Sequence, residues 1–523
     1  YDAYLQYGEN DQSEKQRGNA LRSRINELTY ATDGGASICG EFNIFIIGGM
    51  SNECVDFIAA GGENRSGYEQ TIAEISATGP VADLPAGELR VAAGVMYKRD
   101  AFFYKADPIA SVILDDGIPD VIGFNATDNI DGSDYNTDLY LEALIPILAN
   151  RRGAEKLEAV LGYRHSEYQS AGGADSWKAE LLYQPVDALR LRGSLQRAVR
   201  APSVFELYQP QLPAFYSSLS DFGLQDPCEA TSPERTGPDA VQVEALCLQQ
   251  GVPLELLPDF EDQDLLHEGV EGGNPGLDPE TGDTLTAGFV LSSWSSSSLW
   301  SGMQLSVDWY RIEMEDAIEY VYAPTYIPLC FDARTNPNFS PSNVWCGFFG
   351  RYSSDGEIRD FTDILVNIEG FELTGVDLQF DWRFEAGPGT VGFNTLVSWL
   401  DSFEAIPPKG LPKVDEAGLV GFDVAGTSTF GIGGARPEWK ANTRLTYDWQ
   451  SLSLAAGWRY IDGMKDRDLE LNYRVPSYDY FDLYAAYAFD QGMLDGLTLS
   501  AGVENLTDED PPLLPSQVQA NTD

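Results

Sequence analysis

Residues 375–386 read Gly-Val-Asp-Leu-Gln-Phe-Asp-Trp-Arg-Phe-Glu-Ala. In an extended chain successive side chains point to opposite sides. Val376, Leu378, Phe380, Trp382 and Phe384 therefore share one face, and Asp377, Gln379, Asp381, Arg383 and Glu385 share the other. Five large apolar groups opposite four charges and a Gln suit a wall with hydrocarbon on one side and water on the other. Such a wall needs this pattern over about ten residues per crossing.

The pattern recurs. In 441–450, Ala441, Thr443, Leu445, Tyr447 and Trp449 oppose Asn442, Arg444, Thr446, Asp448 and Gln450. Segments 88–98 and 497–504 alternate in the same way, and further copies lie at 157–166, 189–197, 299–310, 452–460 and 480–489. Tyr97, Tyr163, Trp309, Trp382, Trp449, Tyr460 and Tyr487 tend to close the apolar face, as at the boundary between hydrocarbon and headgroups. The expected fold is all-β: a transmembrane antiparallel β-barrel read as one unit over 1–523. About sixteen strands are expected, among them 1–11, 17–31, 68–80, 87–105, 134–148, 364–386, 436–449 and 494–506. No apolar run approaches the roughly 18 residues of a spanning helix. Short turns alternate with the long connections 32–67, 106–133, 201–279, 316–363 and 402–435, so the long loops gather at one rim. A short helix is expected near 240–250.

The 33 basic and 82 acidic residues give a net charge of −49. That excess argues against nucleic acid as a partner. Because the acids are spread over many loops, an acid-rich proteome accounts for them better than a cation-attracting mouth. Inward strand positions carry bases (Arg90, Lys98, Arg164, Arg190, Arg192, Arg383, Arg444, Arg459), so the lumen is expected to be less acidic than the whole chain. The six cysteines form three local pairs, Cys39 with Cys54, Cys228 with Cys247 and Cys330 with Cys346. An even count in connecting segments reads as disulfides in an oxidising compartment, with free thiols as the alternative. A zinc site is excluded by the spacings and by the distance of His165 and His267 in sequence.

Several stretches carry a resemblance more specific than periodicity. Arg197-Ala-Val-Arg-Ala-Pro-Ser-Val-Phe-Glu-Leu207 resembles the R-x-x-R-A-P-x-x-x-E-L stretch of TonB-dependent outer-membrane transporters, matching at Arg197, Arg200, Pro202 and Glu206. Gly273-Asn-Pro-Gly-Leu-Asp-Pro-Glu-Thr281 is similar to their G-N-P-x-L-x-P-E-T signature at Asn274, Pro275, Pro279 and Glu280. Val503-Glu-Asn-Leu-Thr-Asp-Glu-Asp-Pro-Pro512 resembles the turn before their last strand at Asn505 and Asp508. Cys330–Cys346 followed by Arg351 and Gly356, and the segment Gly370–Asp377, extend the likeness. The resemblance implies a barrel of about 22 strands with a plugged lumen. The chain then supplies part of that barrel; the N-terminal plug with its TonB-contacting segment and the terminal strand fall outside it. Also implied are a bacterial outer-membrane location, TonB and the lipid bilayer as partners, and import of a siderophore, a cobalamin-like molecule or an oligosaccharide. A passive porin and a glycan-binding adhesin are the alternatives. The motifs also make physical sense: Pro202 cannot donate to a ladder, so a strand must stop there. Asn274-Pro275 and Asp278-Pro279 stiffen the entry to the next strand.

No enzyme is expected. No nucleophile–base pair can be assembled, and Ser295–Ser298 is a turn. Asn129, Asp131, Gly132 and Asp138 partly fit a calcium loop, but Thr127 stands where an acid is required, so an ordinary polar loop is the reading. No metal or cofactor is expected. Aromatics crowd two long loops, and exposed ones can stack on sugar rings or flat chelates. The candidate ligand contacts are Tyr208, Phe215, Tyr216 and Phe222 in one loop and Trp345, Phe348, Phe349 and Tyr352 in the other. The competing reading is that they form small cores for two disulfide-tied loops.

Overall fold

Alternating polarity over this length produces one curved sheet, a single layer thick, in the computed structural model. The structure describes residues 1–512 except 47, 115–117, 125, 218, 220–224, 264–265, 296, 322, 407–412, 422–433 and 467–472. Among the described residues the main sheet runs as a meander of fifteen long strands, with the short strands Leu212–Ser217, Leu266–Gly272 and Val414–Asp415 paired at its margin: β1 Asp2–Ala20, β2 Ala59–Leu84, β3 Gly87–Lys105, β4 Ile130–Arg151, β5 Ala154–Tyr168, β6 Gly172–Val186, β7 Leu189–Arg200, β8 Glu280–Ser292, β9 Gly302–Tyr320, β10 Phe361–Ala386, β11 Gly389–Ala405, β12 Trp439–Trp449, β13 Leu452–Ile461, β14 Tyr478–Ala488 and β15 Thr498–Val503. Each pairs antiparallel with the next, even across the long connections, as in β7–β8 and β9–β10. Among the described residues β1 pairs only with β2 and β15 only with β14, so this part of the wall does not close on itself.

Register carries the apolar face from strand to strand. Val95 lies opposite Leu139, Ala143 opposite Leu161, Ala179 opposite Leu195 and Leu195 opposite Leu285. Further round, Val307 meets Leu378, Leu378 meets Val397 and Phe393 meets Leu445. No second sheet covers this row: Leu139 is 57% exposed and Leu445 48%. Such a belt is stable only against hydrocarbon. Indoles mark its edges, with Trp399 stacked on Trp439 at 5.7 Å above and Trp300 on Trp382 at 5.6 Å below. On the other face polar groups bond along and across the strands: Asp381 accepts from Gln379 of its own strand at 2.7 Å and from Asn394 across the ladder at 2.6 Å. Several lumenal bases are held by lumenal acids: Lys98 by Asp100 (2.7 Å), Arg164 by Asp138 (2.7 Å), Arg192 by Asp308 (2.5 Å) and Arg459 by Asp482 (3.5 Å).

One expected strand is corrected. Segment 17–31 is the end of β1 followed by helix α1, Arg22–Tyr30. Leu21, Ile25 and Leu28 recur at helical spacing, and Leu28 is fully buried against the Cys39–Cys54 bridge and Ile58 of α2, Asn52–Ile58. Among the described residues the meander therefore holds fifteen long strands, against about sixteen expected. The expected helix near 240–250 is present as α5, Ala240–Gln250, after α3 Val204–Tyr208 and α4 Pro233–Thr236, and α6 spans Ala323–Phe331. Of the calcium-loop residues, Asp131, Gly132 and Asp138 belong to β4, and Asp138 faces Arg164.

All three bridges have formed, with sulfurs 1.94, 2.02 and 2.01 Å apart and α-carbons 4.7, 5.8 and 4.9 Å apart. Strand alternation puts the connections that carry them at one rim.

Candidate functional site

The long-loop rim is built on two motifs that interlock. β7 ends at Arg200, and Pro202 turns the chain into α3. Ser203 caps that helix reciprocally: its hydroxyl accepts from the Glu206 backbone N–H (3.2 Å), and the Glu206 carboxylate accepts from the Ser203 N–H (2.6 Å). Glu206 also receives both terminal nitrogens of Arg200, at 3.0 and 3.1 Å. Burial pushes the Glu206 carboxyl up, but the bonds from Arg200 and Ser203 outweigh it and hold the pKa below the ordinary value. Arg200 Nε donates to Glu280, the first residue of β8, whose other oxygen accepts from the Ile318 backbone (2.7 Å). Arg197 forms a fork with Asp283, at 2.7 and 2.5 Å.

The second motif lies across the first. The Asn274 backbone donates to Glu206 O (2.9 Å), and its side chain donates to Leu365 O (3.0 Å). Gly273 runs so close to α3 that a β-carbon would stand 2.7 Å from Glu206 O. Leu207, Leu277, Ile318 and Leu365 close a buried cluster beneath. Asn505 and Asp508 lie elsewhere, in a turn after β15, both with left-handed backbone (φ 49° and 53°) that Asn and Asp tolerate.

α3 leans over the lumen. It leaves β7 but packs on β3 and β4. At Gly132 of β4 an added β-carbon would sit 2.5 Å from the Tyr208 ring and 2.9 Å from Val204. Gly132→Val is expected to push α3 off the wall at a cost of about 1–3 kcal/mol. Limited proteolysis should then cut near 204–208 sooner while the barrel still migrates as folded; an unchanged cleavage rate would show that α3 does not rest there.

Loops 201–279 and 316–363 share one core. Val243 and Leu246 of α5, Tyr326 and Ile327 of α6, the two bridges Cys228–Cys247 and Cys330–Cys346, and Phe349, Ile358 and Phe361 are buried together. Arg351 joins the halves: its NH1 and NH2 meet Asp226 at 2.6 Å each, and neither side chain exposes any surface. Asp226 also accepts from the Cys228 N–H (2.8 Å), and Arg351 donates to Gly356 O (2.9 Å).

These placements sort the candidate ligand contacts. Phe349 is only 7% exposed and stacks with Tyr326 at 6.0 Å, so it cannot offer a face to a ligand while the core is intact. Trp345 and Phe348 pack on the same core with part of their surface free. Tyr352 is half-buried beneath the Arg359 guanidinium, 3.8 Å from its ring. Tyr208 is 37% exposed. The side chains of Phe215 and Tyr216, and all of Phe222, lie outside the described residues. Phe205, another aromatic of the same loop, is 46% exposed and meets Phe102 edge-on at 6.2 Å. That contact has no local signal, because only the tertiary crossing of α3 brings Phe205 to β3.

Comparison with known proteins agrees with this architecture. The family model described as "TonB dependent receptor-like, beta-barrel" matches residues 3–506. No match was found among the curated proteins. Of the solved structures, a mutant ferric enterobactin receptor from Pseudomonas aeruginosa is similar with a TM-score of 0.56 at 15% identity, over 97% of this chain and 54% of that one. The siderophore receptor PirA from Acinetobacter baumannii is similar with a TM-score of 0.54 at 13% identity, over 97% and 56%. The chain thus spans little more than half the length of these structures, and the likeness at such identity concerns the fold. With the family model covering nearly the whole chain and the apolar belt, rim and motifs in place, the chain belongs to the TonB-dependent receptor β-barrels of the bacterial outer membrane.

Proposed function

We propose that this chain is the barrel of a receptor that captures a scarce, bulky ligand at the cell surface and imports it by TonB-coupled active transport. Coupling runs through a plug and a TonB-contacting segment outside residues 1–523, and the protein is a transporter rather than an enzyme. The observation that carries the reading is the outer module, in which two disulfide-tied loops share one core through Arg351 and Asp226. A general diffusion pore has no need of a rigid surface over its mouth. A capture site does, because preordered loops lose less entropy when ligand binds.

The contacts we assign to ligand are Tyr208, Trp345, Phe348 and Tyr352 together with Phe215, Tyr216 and Phe222. The structures similar in fold include receptors described as binding ferric enterobactin, so a siderophore is one candidate, beside a cobalamin-like molecule and an oligosaccharide. The test is uptake by cells carrying the full-length receptor, against a panel of these three ligand types, with and without TonB. Uptake of one ligand is expected to fall to background without TonB, and to fall with Trp345→Ala while the amount of folded barrel stays constant. Uptake that persists without TonB would instead favour the passive pore, and binding without uptake the adhesin.

A further inference from the structure

Phe205 borders two cavities. Beneath it, against the inner wall, lies a niche of about 610 Å³ lined by Tyr68, Met96, Asp100, Phe102, Asn136 and Ser176, among others. On its other side lies a smaller cavity of about 320 Å³ with Tyr104, Asp128, Gln209, Pro210 and Glu271 in its lining. The Phe205 ring, edge-on to Phe102, stands between them. It rides on α3, a helix of five residues fixed at its start by the Ser203–Glu206 cap and the Arg200 bonds. The ring is thus presented on a fixed base, with nearly half of its surface exposed.

Charge differs between the chambers. The outer one carries Asp128 and Glu271 and no basic residue among those that line it. The inner one has three bases, each already held: Lys98 by Asp100, Arg164 by Asp138, and Arg200 by Glu206 and Glu280. An anion would meet two carboxylates first and then cations whose charge is already matched. What remains available is aromatic surface on Phe205, Phe102 and Tyr68 with the hydroxyl of Ser176, since the Asn136 amide is buried and donates to Asp138 at 2.8 Å.

We propose that Phe205 and Phe102 form an aromatic partition between an outer vestibule and a lumenal niche, and that the niche takes a molecule with a flat apolar face, hydrogen-bonding groups and no net negative charge. This deepens the transport reading by naming a ligand class, but the partition and its charge preference can be read without any transport.

All six cysteines of residues 1–523 are bridged, so a cysteine placed in the niche would be the sole thiol among these residues, and the receptor without it serves as the labelling blank. Ser176→Cys in the full-length receptor on intact cells is to be treated with two thiol-specific methanethiosulfonates, one bearing trimethylammonium and one bearing sulfonate. After correction for their rates with a free thiol, the cationic reagent is expected to react at least about tenfold faster. Adding Phe205→Ala should speed both several-fold, and Phe205→Trp should slow both. Met96→Cys repeats the test at a second lining position, and labelling after denaturation confirms that the thiol is present. Equal rates, or a faster sulfonate, would overturn the charge class. Rates that ignore residue 205 would overturn the partition, and so would a thiol that never reacts in the folded receptor. TonB plays no part in these rates, so failure of transport and failure of the partition remain distinguishable.

Discussion

Arg351→Met is expected to loosen the outer module by about 3–5 kcal/mol while leaving the barrel folded. The guanidinium and the Asp226 carboxylate are both wholly buried, and their two short bonds are each satisfied by the other. Removing the cation leaves a carboxylate in an apolar core, where an unpaired charge is costly. Asp226→Leu strands the guanidinium, and although Gly356 O remains to it, the expected loss is similar. The double variant Arg351→Met/Asp226→Leu should recover much of the stability, since two apolar groups replace a matched pair. Hydrogen exchange over 226–260 and 323–361 would report this directly: fast exchange in each single variant, slower in the double, with β4–β7 unchanged. Protection that is the same in all four proteins would mean that the buried pair does not hold the two loops together.

Arg351 also shows where sequence reading stops. The strands were legible because a bilayer imposes a period of two on every crossing, and that signal is local. The bridges were legible because each joins cysteines close in sequence, at separations of 15, 19 and 16. The Arg351–Asp226 pair spans 125 positions and has no local signature. The same holds for Phe205 on Phe102, and for Arg200 on Glu280 across 80 positions. Family pattern marked Arg200, Glu206 and Glu280, but not that they form one network. The error at 17–31 has a different origin. Leu21, Ile25 and Leu28 carry a helical period there, but the segment reads as a second strand after 1–11, and the local disulfide core decides the outcome. The burial of Phe349 was illegible for a third reason: an aromatic in a long loop looks exposed unless the loop has a core of its own.

A single arginine tests the membrane assignment on both faces of one strand. Leu378 lies in β10 opposite Val307 on one neighbour and Val397 on the other, so its cross-strand partners are both apolar. Gln379, one residue on, faces the lumen and bonds to Asp381. Trp382 is four residues from Leu378, and Trp399 lies opposite Val376, so Leu378 falls between the two aromatic edges. An arginine at the bilayer midplane of a barrel costs about 2–4 kcal/mol, and near the interfaces about 0–1. Leu378→Arg is therefore expected to destabilise the folded full-length receptor in lipid vesicles by about 2–4 kcal/mol, whereas lumenal substitutions leave stability nearly unchanged. Gln379→Arg should show the smaller effect, because the added charge stays in water beside Asp381. Urea unfolding in vesicles, followed by the tryptophans of the two edges, gives both values. In detergent micelles, which deform around a charge, the difference between the two variants should shrink. If both arginines cost the same in vesicles, the two faces of the wall do not meet different solvents, and the apolar belt would have to be covered by protein instead of lipid.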